Sequence, residues 1–217
     1  MSIMTKQDLI IIGGQGNCLD IAEAALLQKD CFNVLGFLDD TLEAGANTPL
    51  DLPVLGSLND AGQFPKAFFI NGVGSPSSYT TKARLLQRMN IAHERFTRVV
   101  HPSAVVSRSA MLAKGCAILS HCDVGNKAVL EEHVFLLQQC VVGHDSIIEA
   151  GTILATGVKV SGRVRVGSGA YLGAGSIIRE GVSIGAGCLV GTGSVVVSNL
   201  PAFSICYGIP ARKIKDA

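Results

Sequence analysis

The fold of this chain is decided by a stretch that reads VVGHDSIIEAGTILATGVKVSGRVRVGSGAYLGAGSIIREGVSIGAGCLV, residues 141–190. An aliphatic residue returns at every sixth position, and the series continues on both sides without an insertion. A strict period of six is typical of a parallel β-helix, in which each hexapeptide forms one short strand and one corner. The sixteen aliphatic positions are Val106, Leu112, Ile118, Val124, Leu130, Leu136, Val142, Ile148, Leu154, Val160, Val166, Leu172, Ile178, Ile184, Val190 and Val196.

A second pattern places a small residue four positions after each aliphatic one. The small residue and the next aliphatic residue are two apart, so both point to the same side of a strand. We therefore expect both to fill a narrow triangular prism, with three strands per coil of 18 residues. The small positions are Ala110, Cys116, Cys122, Ala128, Val134, Cys140, Ser146, Thr152, Val158, Val164, Ala170, Ser176, Val182, Cys188 and Ser194.

The first half of the chain has a different organisation, in which strands alternate with helices. Short apolar runs at residues 9–12, 32–38 and 67–70 predict buried strands, and residues 18–29 and 78–91 predict helices. Residues 41–52 read as an exposed loop. This order predicts an α/β, Rossmann-like domain over residues 1–98, followed by the β-helix over residues 99–217.

Composition excludes several classes of protein. Apolar residues make up 48% of the 217 residues and charged residues 16%, which excludes a disordered chain. A net charge of +1 gives no broad surface for nucleic acid, and no apolar run is long enough to span a membrane. The seven cysteines form no C-x-x-C pair, and no metal site is expected. We expect a reduced, soluble, cytoplasmic protein.

Five segments carry a resemblance to a known family. The chain resembles the hexapeptide-repeat acyltransferases, which fold as left-handed β-helices. It is most similar to nucleotide-aminosugar N-acetyltransferases with an N-terminal Rossmann-like domain, of the bacillosamine and perosamine type. The segments are Ile12-Gly13-Gly14-Gln15-Gly16, Gly36-Phe37-Leu38-Asp39-Asp40, His101-Pro102-Ser103-Ala104, Gly143-His144-Asp145 and Gly208-Ile209-Pro210-Ala211-Arg212-Lys213.

The resemblance implies a homotrimer that uses acetyl-CoA and a nucleotide-linked aminosugar in cell-surface polysaccharide biosynthesis. It assigns the nucleotide to the N-terminal domain. An NAD-dependent enzyme is disfavoured, because Leu19 replaces the third glycine of a G-x-G-x-x-G fingerprint. The residues that the resemblance assigns to the nucleotide sugar are Gln15, Gly16, Asn17, Asp39, Asp40 and Gly74.

His144 is the candidate catalytic base. It lies two residues after inward-facing Val142, near a corner of the prism, where a side chain can leave the core. A neutral imidazole can take the proton of an amine that attacks a thioester, and Asp145 can orient it. The alternative is an exposed polar corner residue. Some relatives carry a second histidine nine residues further on, which meets the acetyl group; here that position is Ile153.

Stacking by 18 residues also suggests where acetyl-CoA binds. Thr156, Ala174 and Thr192 stack at one corner, and His144, Gly162 and Glu180 stack at another. The two corners meet only if a second prism packs alongside, so the site would lie between subunits. The cofactor positions implied are Ile153, Gly162, Ala174 and Thr192. The basic tail residues Arg212, Lys213 and Lys215 either contact the phosphates of CoA or are simply solvated.

Other residues receive plainer interpretations. His121 and His133 are weaker candidates for the base, whereas His101 reads as structural and His93 as a surface residue. Four cysteines fall in the small inward slots, so we expect direct transfer rather than an acyl-cysteine. Two alternative functions stay open: a sugar O-acetyltransferase of the sialic-acid type, and a β-helix scaffold without catalysis. The inward cysteines are Cys116, Cys122, Cys140 and Cys188.

Overall fold

The computed structural model describes residues 6–217, which form an α/β domain followed by a triangular prism. The N-terminal sheet is parallel, with strand order β3-β2-β1-β4. Its strands are β1 (Gln7–Ile12), β2 (Phe32–Leu38), β3 (Val54–Gly56) and β4 (Phe68–Asn71). The helices are α1 (Asn17–Leu26) and α2 (Lys82–Arg88), with 3₁₀ turns at Leu58–Gln63, Tyr79–Thr81 and His93–Arg95.

The central strand β1 explains the apolar run that predicted it. Leu9 and Ile11 pack on the side of α1, whereas Ile10 and Ile12 pack on the opposite side. A strand covered on both faces needs a continuous run of apolar residues rather than an alternating one. The three predicted strands and two predicted helices are present, with α2 shorter than expected. The sequence analysis missed β3, which is only three residues long.

The prism is a left-handed β-helix of two-residue strands, each hydrogen-bonded to the strand 18 residues away. It has three faces of parallel strands. The covered face holds residues 99–100, 117–118, 135–136, 153–154, 171–172 and 189–190. The second face holds residues 105–106, 123–124, 141–142, 159–160, 177–178 and 195–196. The third face holds residues 111–112, 129–130, 147–148, 165–166 and 183–184. In chain order these strands are β5 to β21.

The register predicted for the prism is confirmed. Fourteen of the sixteen aliphatic positions are buried in the prism core. Val106 and Leu112 are only partly buried, because their strands are the first of the second and third faces and have no neighbour beneath them. Several hydroxyl and thiol groups in the small slots donate to a carbonyl 15 residues further on, as Ser146 does to Ser161 at 2.9 Å and Thr152 to Gly167 at 3.0 Å.

The N-terminal domain packs against the covered face. Phe135, Ile153 and Tyr171 point outward from that face and are buried in one cluster with Leu9 and Ile21. An antiparallel hairpin of β22 (Ser204–Gly208) and β23 (Ala211–Asp216) extends the covered face at the far end of the prism. Within residues 6–217, the helices are all too short or too polar to cross a bilayer.

Candidate active site

A cleft of about 520 Å³ lies at the carboxyl ends of β1 and β4. The turn between β1 and α1 forms one wall, and five of the six residues assigned to the nucleotide sugar line the cleft. The amide N–H groups of Gln15, Gly16 and Asn17 have no acceptor within residues 6–217. Free amides at a helix N-terminus suit a phosphate. The lining residues of that set are Gln15, Gly16, Asn17, Asp39 and Gly74.

Asp39 organises this cleft from within. One carboxylate oxygen accepts from the Gly14 amide at 2.7 Å, and the other accepts from the amide and hydroxyl of Thr41 at 2.7 and 2.5 Å. Although burial opposes the charge, these hydrogen bonds lower the pKa of Asp39 below its usual value. The carboxylate is therefore ionised, and it already holds the two loops together.

Asp40 departs from the expectation that it binds the nucleotide sugar. One of its oxygens accepts from the Leu58 amide at 2.9 Å, and the other forms an ion pair with Arg88. Asp40 does not line the cleft. The reason is that successive side chains at the end of β2 point to opposite sides of the sheet. Asp39 faces α1 and the cleft, so Asp40 faces the other side.

His144 lies at the corner between the second and third faces, which we call the His144 corner (residues 126–127, 144–145, 162–163 and 180–181). Its Nδ1 is 2.8 Å from Oδ2 of Asp145, and both side chains are about half exposed. The hydrogen bond from His144 is the main cause that lowers the pKa of Asp145. Asp145 has a left-handed backbone, with φ at 55°. The pair leaves Nε2 free to take a proton.

Gly162 makes room for the imidazole one coil further on. A Cβ atom at Gly162 would lie 2.5 Å from Nε2 of His144, closer than two such atoms can approach. The ring therefore lies over the backbone of Gly162, and only glycine fits beneath it. Gly162 was predicted from the sequence to line a cofactor site; the structure places it against the imidazole of His144.

Ala174 and Thr192 lie at the corner between the covered and second faces, which we call the Ala174 corner (residues 138–139, 156–157, 174–175 and 192–193). Ala174 contacts the cluster between the two domains, and Thr192 is exposed. Ile153 does not reach a surface: it is fully buried, and its Cδ1 lies against Gly74. A bulky aliphatic side chain here fills the seam between the domains, so Ile153 offers no contact to a cofactor arriving from solvent.

The architecture separates these parts within one chain. The cleft and the Ala174 corner both adjoin the covered face, since Gly74 contacts Ile153 and Ala174 packs on the interdomain cluster. The His144 corner joins the other two faces and is therefore the edge of the prism opposite the covered face. A base at that edge cannot approach a ligand in the cleft of its own chain.

Three of the other histidines and two of the inward cysteines are poorly suited to catalysis. Burial, together with the charges of Lys82 and His93, lowers the pKa of His133 to about 4. His93 pairs with Glu132 at 2.9 Å, and His101 accepts from Ser103. Burial raises the pKa of both Cys116 and Cys188 to about 11, so these thiols stay protonated.

Two features of the seam escaped the sequence analysis. Lys82 is buried, donates to the His133 carbonyl at 2.5 Å and lies over the Phe135 ring. Burial lowers its pKa well below the usual value. The Tyr79 hydroxyl donates to the Gly187 carbonyl at 3.3 Å and ties the loop after Gly74 to the prism. Both residues sit in polar helical sequence that carries no sign of burial.

The C-terminal tail is basic and exposed. Arg212, Lys213 and Lys215 are exposed on β23, and Lys213 pairs with Asp216 at 2.7 Å. Within residues 6–217, no group of three or more His, Cys, Asp or Glu side chains is arranged to hold a metal ion.

Comparison with known proteins gives a consistent picture of the fold. Residues 163–198 match the family described as bacterial transferase hexapeptide, six repeats. No curated protein matches the chain. The acetyltransferase domain of PglB from Neisseria gonorrhoeae FA1090, solved with acetyl coenzyme A, is 23% identical with a TM-score of 0.86, covering 97% of this chain and 100% of that one.

Two further structures are similar over nearly the whole chain. A histidine-to-asparagine mutant of perosamine N-acetyltransferase from Caulobacter crescentus, in complex with CoA and GDP-perosamine, is 26% identical with a TM-score of 0.84 and covers 96% of this chain and 97% of that one. WeeI from Acinetobacter baumannii AYE is 21% identical with a TM-score of 0.82 and covers 96% and 100%.

Proposed function

We propose that this chain is a hexapeptide-repeat acyltransferase with an N-terminal Rossmann-like domain, and that it transfers acetyl from acetyl-CoA to the amine of a nucleotide-linked aminosugar. The observation that carries the proposal is the His144–Asp145 pair, half exposed with Nε2 free over Gly162. A similar perosamine N-acetyltransferase binds CoA and GDP-perosamine, which supports this choice of substrates.

The chemistry follows from the geometry of the pair. The acceptor amine attacks the thioester carbonyl, and its proton passes to Nε2 of His144. Asp145 accepts from Nδ1, fixes the tautomer and stabilises the imidazolium that forms. The C–S bond then breaks, the N–C bond of the amide is complete, and the CoA thiolate takes up the proton.

Acetyl-CoA is expected along the Ala174 corner. The amide N–H groups of Ala174 and Thr192 have no acceptor within residues 6–217 and can hold the pantetheine or the thioester oxygen. Ala174 is small and lets a ligand approach the backbone. No side-chain donor replaces the histidine that some relatives have at the position of Ile153, so backbone amides take that role.

The site is proposed to form between copies in a homotrimer. The cleft and the Ala174 corner of one chain supply the two substrates, and the His144 corner of its neighbour supplies the base. Aliphatic side chains on the exposed faces support such packing, because Val105, Met111 and Ile177 are 64%, 63% and 46% exposed. A chain that is monomeric by light scattering and fully active in the acetyl-transfer assay would contradict this arrangement.

The direct experiment is an assay of CoA thiol release with UDP-, GDP- and dTDP-linked aminosugars. Matched nucleotide sugars with a hydroxyl in place of the amine serve as controls. We expect turnover with an amine and none with the hydroxyl. Turnover with the hydroxyl would identify a sugar O-acetyltransferase, and no turnover with the whole panel would favour a scaffold without catalysis.

A mixing experiment tests whether two chains build each site. His144→Asn removes the base, and Gly14→Val obstructs the cleft, because a Cβ at Gly14 would displace the Leu42 side chain that lies 2.7 Å away. Each variant alone is expected to be inactive. Trimers refolded from a mixture should regain activity, since some sites then combine an intact cleft with an intact base. Mixed trimers without activity would place both parts in one chain.

A further inference from the structure

The cleft of the N-terminal domain lacks a cation for the ligand that it is proposed to bind. Of the described residues that line it, none is Lys or Arg, and Asp39 is an ionised carboxylate. The diphosphate of a nucleotide sugar brings two more negative charges. The three free amides of Gln15, Gly16 and Asn17 can satisfy one phosphate group, which leaves the other without a charged partner.

A cation lies beside His144, on the corner that a neighbouring copy is proposed to supply. Arg163 follows Gly162 at the His144 corner, and its side chain is 63% exposed. Its amide donates to the His144 carbonyl at 2.8 Å, which fixes its backbone beside the base. Arg163 lies one coil beyond His144, and neighbouring coils are roughly 4.8 Å apart.

The orientation of the imidazole selects Arg163 over the other nearby cation. Nε2 of His144 lies over Gly162, so the acceptor amine must lie at the level of the coil that contains Arg163. Lys127 lies one coil before Asp145, whereas Nε2 of His144 lies over Gly162 in the coil that follows. In a nucleotide aminosugar, a single sugar ring separates the amine from the nearer phosphate, which puts that phosphate within the span of an arginine side chain.

Glu180 holds this guanidinium in place. It forms an ion pair with Nη2 of Arg163 from the next coil, and the other guanidinium N–H groups have no acceptor within residues 6–217. A guanidinium that is anchored on one side and free on the other is suited to bind a phosphate through two parallel hydrogen bonds.

We propose that Arg163 of one copy binds the diphosphate of the nucleotide aminosugar seated in the N-terminal cleft of a neighbouring copy. This inference rests on the proposed function and deepens it, because Arg163 then selects a diphosphate-linked acceptor. The nucleotide sugar is held from two sides, by backbone amides of one chain and by a side chain of the other.

Arg165 supplies a matched control. It lies two residues further on, in the third face, is 56% exposed and pairs with Glu149 as Arg163 pairs with Glu180. Arg163→Met and Arg165→Met therefore each remove one exposed charge and one surface ion pair. Light scattering checks that both variants keep the parent's oligomeric state.

The test measures kcat and KM for the best nucleotide aminosugar and for the same free aminosugar without the nucleotide. We expect Arg163→Met to raise KM for the nucleotide aminosugar about 10- to 100-fold, with kcat and KM for acetyl-CoA within a few-fold of the parent. Arg165→Met should match the parent, and Arg163→Lys should recover part of the loss. With the free aminosugar, kcat/KM should be the same for parent and Arg163→Met.

Two results would overturn the inference. One is an equal KM for Arg163→Met and Arg165→Met. The other is an equal loss with the free aminosugar, which would mean that Arg163 only shapes the His144 corner. Both results presuppose turnover by the parent enzyme, so they are distinct from a failure of the proposed function, in which the parent acetylates no member of the panel.

Discussion

The prism and the N-terminal domain build their interiors in opposite ways. The prism repeats one environment every 18 residues, so that Leu136, Leu154 and Leu172 stack in one column and are all fully buried. The N-terminal domain has no such repeat, so each of its strands and helices, β1 for example, has its own surroundings. In the prism, a residue's position in the repeat predicts its surroundings. In the N-terminal domain, only the complete fold does so.

This difference affects where function can arise. A repeated core allows the corner residues to differ from coil to coil, and the His144 corner accordingly carries Asn126, His144, Gly162 and Glu180 in successive coils. The catalytic candidate is a local departure from a regular scaffold. The cleft at β1 instead depends on contacts between distant segments, such as the Asp39 carboxylate with Gly14.

The largest effect is expected from a charge in the core column. Leu154→Asp should prevent folding, because a carboxylate inside the prism has no partner, which costs several kcal/mol. Cys122→Ala, also in the core, should be mild, since it removes one thiol from a small slot. Circular dichroism and thermal unfolding compare the two variants. Equal tolerance of both substitutions would refute the assigned register.

The next largest effect is expected at the His144 corner, where a substitution leaves the fold intact. His144→Asn keeps a polar side chain of similar reach but removes the base, so kcat should fall about 10²- to 10⁴-fold. Asp145→Asn should cost less, because it alters orientation and charge rather than the proton acceptor. Thiol-release kinetics measure both. Turnover within a few-fold of the parent for His144→Asn would remove it as the base.

A third effect lies at the seam where the two regions meet. His133 has a folded-state pKa of about 4, against 6.5 in an unfolded chain. Between these values the unfolded chain takes up a proton that the folded chain does not. Stability is therefore lost as pH falls from 6.5 to 4, by at most about 3 kcal/mol.

His133→Asn should flatten this acid limb, and asparagine tolerates the left-handed backbone at that corner, where φ is 57°. His121→Asn is the matched control, since His121 is exposed and has the same left-handed backbone, with φ at 58°. Denaturant unfolding at several pH values gives the slopes. An unchanged acid limb in His133→Asn would show that its burial is not what weakens the protein at low pH.

The smallest effect separates two serines in inward slots of the prism. Ser146 donates to the Ser161 carbonyl and accepts from the Val164 amide, so Ser146→Ala should destabilise the protein by about 1–3 kcal/mol. The Ser176 hydroxyl is buried without a partner within the described residues. Ser176→Ala should be neutral or slightly stabilising. Thermal unfolding of the two variants measures the difference. An equal loss of stability in both would mean that the hydrogen bonds of Ser146 do not stabilise the protein.

Much of the candidate site could be read from the sequence, and the failures have specific causes. The pair His144–Asp145 could be found because consecutive residues at a corner leave the prism together. Asp40 and Ile153 could not be placed correctly. The sequence does not show that Arg88 and Leu58 approach Asp40. Nor does it show that Gly74 covers Ile153.

The sequence by itself determined the prism, its register and the inward position of the aliphatic and small residues that recur every six positions. It could do so because a parallel β-helix is built from contacts between residues at a fixed separation along the chain. Only the tertiary structure decided which face the N-terminal domain covers, that the His144 corner lies opposite that face, and that Lys82 is buried. Those facts depend on how two surfaces fit together, and the repeat treats all three faces alike.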